Sequence, residues 1–110
     1  MNFYIGNSID EIKEQDYNVE FSDELIDFIY KLNEEVSFDM HQLYEINPYD
    51  DVEISKNDLK QIIQICKYIL DNKLLHGYDE PDEGNKMLKD LVELTQNALL
   101  KDLGLISIGD

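Results

Sequence analysis

The chain has 110 residues, with 25 Asp or Glu against 9 Lys, no Arg, and a formal charge of −16. Nucleic-acid binding through phosphate contacts is excluded, since that mode needs clustered cations. A membrane-spanning helix is excluded too, because no apolar run exceeds three residues where about twenty are needed. The 13 Ile and 14 Leu are too many for a chain that stays unfolded, and the length fits one domain spanning residues 1–110.

In chain order, Phe3-Tyr4-Ile5 beside Gly6 is a short β-prone run. Ser8 and Glu11 have capping-box spacing ahead of Ile12, which predicts a turn or two of helix over residues 9–15. Ser22, followed by Asp23 and Glu24, marks a helix start with acid in the first turn. Leu25, Ile26, Phe28, Ile29 and Leu32 carry its apolar face to about Glu35. Val36, Met40, Leu43 and Tyr44 predict a shorter helix from Ser37 to about Ile46, ended by Pro48, which drives Asn47 out of the helical region.

The best-defined element runs from Ser55 to His76. Leu59, Ile62, Ile63, Cys66, Ile69, Leu70 and Leu74 form one helical stripe, widened by Ile65 and Tyr68. Ser55 and Asp58 set its start, with Ile54 stapling onto Leu59, and Gly77 is expected to stop it in the left-handed conformation. After a Gly-, Pro- and acid-rich connector over residues 77–84, a second long helix is predicted from Asp82 or Glu83 to Leu103. Gly104 is its expected stop, and Leu105 is expected to fold back on Leu100. Ile106-Ser107-Ile108 is again β-prone. The fold class read from this pattern is mainly α: a compact domain of three to five helices, with a short strand pair available from the two termini.

The sequence offers little to catalysis. Two histidines, His41 and His76, and one cysteine do not supply a zinc site of the usual spacing, and no calcium-loop pattern occurs. Asp50-Asp51-Val52-Glu53 and Asp79–Glu83 read as solvated acid rather than an ion site. Cys66 lies in the stripe that must be buried, where a thiol behaves as a small hydrophobe. His41 sits near Asp39 and Glu45, which raise its pKa, but no nucleophile is nearby. No carboxylate pair is singled out, and there is no phosphate loop and no G-x-S-x-G. The expectation is therefore a non-enzyme with no cofactor, no metal and no catalytic residue.

Charge is the stronger signal. Residues 1–55 hold fifteen carboxylates and two lysines, whereas residues 56–110 hold ten and seven. Concentrated self-repulsion destabilises a compact state, and one strongly acidic face is an alternative to charge that serves only solubility. Residues 44–55 combine Tyr44 and Tyr49 with Pro48 and four acids, a composition suited to contacting a basic protein. The alternative is that Tyr49 packs against the central helix. The candidate partner-binding residues are Glu34, Glu35, Asp39, Tyr44, Glu45, Tyr49, Asp50, Asp51 and Glu53.

The run Asn47-Pro48-Tyr49-Asp50-Asp51-Val52-Glu53-Ile54-Ser55, then Asp58-Leu59-Lys60-Gln61-Ile62-Ile63 and Cys66, is similar to a PYxD turn and serine-capped helix. That pattern recurs in small acidic bacterial proteins, notably immunity proteins of polymorphic toxin systems. The resemblance covers residues 44–75. It implies a cytoplasmic protein that binds and neutralises one cognate toxin and that has no catalytic residues of its own. On charge grounds, a nuclease with a basic cleft for phosphates is one partner that an acidic protein suits. The partner expected is thus a basic protein, with no nucleic acid and no membrane, and the chain is expected to be a monomer. The start Met1-Asn2-Phe3-Tyr4 shows no secretory signal, and the lone Cys66 fits a reducing compartment. Two other readings stay open: a DNA mimic that inhibits a restriction-type enzyme, against which the seven lysines of the second half weigh mildly, and a helical adaptor.

Overall fold

The computed structural model describes residues 1–109. Four helices are formed: α1 (Asp23–Leu32), α2 (His41–Tyr44), α3 (Leu59–Asp71) and α4 (Pro81–Leu100). They pack on a four-stranded antiparallel sheet of β1 (Asn2–Ile5), β2 (Val19–Glu20), β3 (Val52–Ile54) and β4 (Leu105–Ile108), in the order β2-β1-β4-β3. The predicted terminal pair is its centre: Phe3 lies opposite Ser107, and Ile5 opposite Leu105. The sheet is larger than a pair because both central strands would otherwise expose a row of backbone N–H and C=O groups. β2 covers one of these edges and β3 the other. β3 falls inside the tyrosine- and acid-rich segment of residues 44–55. Phe3, Val19, Leu105 and Ile54 belong to the core beneath the helices, and Phe21 meets Phe3 edge-on at 5.9 Å. On the other face of the sheet Ile106 is also fully buried, where Ile12 from the β1–β2 loop reaches Gly6 beside it.

The helices follow their stripes. Leu59, Ile62, Ile65, Cys66 and Ile69 of α3 are buried against Leu88, Leu91, Leu94 and Ala98 of α4 and the rest of one core cluster. Burial pushes the Cys66 thiol up to about 12, so it stays protonated and inert at neutral pH. Several boundaries differ from expectation. Ser55 caps a 3₁₀ turn (Lys56–Asp58) by accepting from the Asn57 N–H, and α3 itself starts at Leu59. Over residues 9–15 only a 3₁₀ turn, Ile9–Glu11, forms. α2 is a single turn that begins at His41 rather than Ser37, because Val36 and Phe38 pack into the core cluster from an irregular loop. α4 starts at Pro81, whose fixed φ and missing N–H suit the first helical position.

Neither expected glycine stop is left-handed; among the described residues no glycine has positive φ. α3 ends instead at Lys73 (φ 53°, ψ 44°), and Leu74–Gly77 forms a 3₁₀ turn that buries Leu75. α4 ends at Asp102 (φ 58°) in a Schellman motif, with the Leu103 N–H donating to the Ala98 carbonyl and the Asp102 N–H to that of Leu99. Leu100 is 85% exposed, so the expected Leu105–Leu100 contact is absent. A lysine in the left-handed region is strained, and Lys73→Gly is expected to stabilise the chain by about 1 kcal/mol, read by urea unfolding. An unchanged or lower midpoint would refute it.

No helix is long and apolar enough to cross a membrane, among the described residues.

Candidate functional site

α1 is the element around which acid and aromatic side chains gather. Ser22 caps it, its Oγ accepting from the Leu25 N–H at 3.2 Å, while Leu25, Ile26, Ile29 and Leu32 turn inward. The Met1 amino group donates to the Phe21 carbonyl and stands 3.9 Å from Asp23, tying the start of α1 to the sheet. Helical spacing then leaves Glu24, Asp27 and Lys31 outward, between Phe28 on one flank and Tyr30 on the other.

Each flank carries an aromatic pair. Tyr30, 56% exposed, meets Tyr44 of α2 edge-on at 5.3 Å. Desolvation and then the neighbouring Asp39 and Glu45 carboxylates raise the pKa of Tyr44. Phe38 stacks on Tyr68 of α3 at 4.3 Å and so pins the loop that carries Asp39. On the opposite flank Phe28 meets Tyr78 at 5.2 Å, and the Tyr78 hydroxyl lies 3.4 Å from Ser22 Oγ. Gly84 of α4 leaves room for that ring, since a Cβ there would stand 3.2 Å from two Tyr78 carbons. Above Phe28 and Tyr78 opens a groove of ≈ 350 Å³, bordered by Glu24, Asp27, Lys31, Gly77, Asp79 and Glu80. A hydrogen bond with Glu83, followed by the charges of Glu83 and Asp79, raises the pKa of Glu80. Crowded like charge on this scale is a cost that a cationic partner would relieve.

Asp39 and His41 form an exposed pair. The Asp39 carboxylate accepts from the His41 ring Nδ1 at 2.7 Å and from the His41 backbone N–H at 3.1 Å. The side-chain bond is the main cause that lowers Asp39 below its ordinary 3.8 and raises His41 above its ordinary 6.5. Asp39 stabilises above its unfolded value and ceases to as pH falls through its lowered pKa; His41 does so below 6.5 and ceases to as pH rises through its raised pKa. The pair is therefore fully formed between these two ordinary values. Asp39→Asn is expected to bring the His41 midpoint down toward 6.5 in an NMR titration; an unmoved midpoint would assign the shift elsewhere.

The nine sequence-predicted residues fall in different places. Asp39, Tyr44 and Glu45 come together beside Tyr30, and exposed Glu34 lies one helical turn beyond Tyr30. Glu35 borders a second groove with Phe28, Lys31, Leu74 and His76. Tyr49 is 67% exposed, so it does not pack against the central helix. The remaining three acids hold the chain together. Asp50 accepts from the Asn47 amide at 2.9 Å, Asp51 from the Gly109 N–H at 3.0 Å, and Glu53 from the Ile9 N–H at 2.9 Å. Sequence reasoning missed Asp27, Tyr30, Tyr78 and Glu80 as site residues. Tyr30, an aromatic off the apolar stripe of α1, was the available signal.

Among the described residues no group of three or more His, Cys, Asp or Glu could hold a metal ion. Compared with known families, curated proteins and solved structures, the chain matches none.

Proposed function

We propose that the chain binds and neutralises a basic protein, a cognate bacterial toxin in the reading that the residue 44–75 resemblance favours, and that it does so in the cytoplasm as a monomer without catalysis of its own. One observation carries this reading: the outward ridge of α1, with Glu24 and Asp27 set between the Tyr30–Tyr44 and Phe28–Tyr78 pairs. Complementary charge accelerates encounter, and aromatic anchors at the centre of an interface slow dissociation. The charge balance of −16 supports a cationic target and opposes a polyanionic one.

The test is capture on the immobilised chain at low salt, identification by mass spectrometry, and stopped-flow association of the purified partner across a salt series. One cationic protein bound stoichiometrically is expected, its toxicity abolished on mixing, with association slowing by about tenfold or more at high salt. Tyr30→Ala with Tyr44→Ala is expected to speed dissociation by about tenfold or more. Association that ignores salt, or inhibition of a DNA-handling enzyme in competition with duplex DNA, would replace this reading.

A further inference from the structure

We propose that the groove lined by Phe28 and Tyr78 receives an arginine side chain of the basic partner, its guanidinium against an aromatic face and among the Asp27 and Glu80 carboxylates. This rests on the function proposed above and names the chemistry by which the partner is held. The occupant follows from shape and charge together. The groove's ≈ 350 Å³ admits a long side chain, and its lining combines two rings set edge to face at 68° with four carboxylates. Those carboxylates come from separate elements, Glu24 and Asp27 from α1 and Asp79 and Glu80 from the connector before α4. They are dispersed around the rim, and among the described residues no cluster fit for a metal ion occurs. A wide, planar, delocalised cation matches that distribution. Guanidinium stacks on aromatic faces and donates from its edge to carboxylates in the same pose, whereas an ammonium is a compact and strongly hydrated point charge. The chain itself contains no arginine that could fill the groove from within. Lys31, exposed at the rim, opposes the occupant and tunes its affinity.

The full chain, isotopically labelled, is titrated with N-acetyl-arginine amide and separately with N-acetyl-lysine amide and calcium chloride, followed by NMR. The arginine derivative is expected to move the Phe28, Gly77 and Tyr78 signals saturably, with a dissociation constant on the order of millimolar, as befits one isolated side chain. The lysine derivative should bind about threefold or more weakly. Asp27→Asn with Glu80→Gln should weaken arginine binding by about tenfold, and Lys31→Ala should strengthen it by about threefold. Shifts that never saturate, that spread over every acidic surface, or that calcium reproduces at the same residues would overturn the proposal. The probes need no partner, so the two readings fail separately. A silent groove in a chain that still captures a cationic protein defeats only the arginine site. A responsive groove in a chain that captures none defeats the function and leaves a guanidinium site.

Discussion

Gly104→Ala is expected to destabilise the chain by about 3 to 4 kcal/mol, an effect reserved for a few mechanisms such as overpacking against fixed backbone. Gly104 precedes β4, where its N–H donates to Asn7 Oδ1 at 2.9 Å and its carbonyl accepts from the Gly6 N–H at 3.0 Å. A Cβ at this position would fall on the Ile54 carbonyl oxygen of β3, with the Gly6 carbonyl oxygen next nearest at 3.4 Å. Both obstacles are backbone, so no rotamer change relieves the overlap. β3 would have to leave β4, and with it the Ile54–Leu105 pairing that seats two buried side chains. Gly77→Ala is the matched control: its Cβ would meet only Phe28 Cζ at 3.8 Å, an ordinary contact, and its expected effect is within about 1 kcal/mol. Urea unfolding of both variants decides the matter. Equal midpoints would mean that β3 yields easily.

These two glycines also show what the sequence can and cannot report. Both occupy positions where a helix stop is expected, yet the left-handed residues are Lys73 and Asp102. α3 ends early where the following turn buries Leu75, and α4 closes through the Schellman hydrogen bonds around Asp102. The stripes of α3 and α4 were legible because their periodicity runs over several turns: Leu59, Ile62 and Cys66 of the predicted α3 stripe are buried, and α4 buries Leu88, Leu91 and Ala98 at the same helical spacing. β2 and β3 were not legible. Two or three residues are too few to establish an alternation, and these strands exist to satisfy the backbone of β1 and β4. The candidate site divides in the same way. An excess of acid was plain from composition, but its disposition depends on contacts distant in sequence. Asp51 meets a backbone N–H 58 residues away and Glu53 one 44 residues away, and no local pattern encodes either. Phe28 and Tyr78, fifty residues apart, likewise become neighbours only in the folded chain, where Gly84 leaves room for the Leu75 and Tyr78 side chains.

Reversing charge on the ridge of α1 and just beyond its end, by Asp27→Lys with Glu34→Lys, is expected to slow association with the basic partner by about a hundredfold at low salt while leaving the fold intact or slightly stabilised. Both side chains are exposed, and Glu34 follows the C-terminal end of α1, where a cation interacts favourably with the helix dipole. Each reversal also relieves the repulsion within a chain of charge −16. Asp51→Asn with Glu53→Gln should behave in the opposite way. Those carboxylates accept hydrogen bonds from the Gly109 and Ile9 backbone, so their neutralisation weakens charge-assisted contacts worth about 1 to 2 kcal/mol together when discounted for exposure, and spares association. The crossed outcome separates acid retained for recognition from acid retained for folding. Thermal unfolding and stopped-flow association on the same two variants measure it. If the ridge variant loses stability, or if both variants bind alike, the α1 ridge is not the surface that meets the partner.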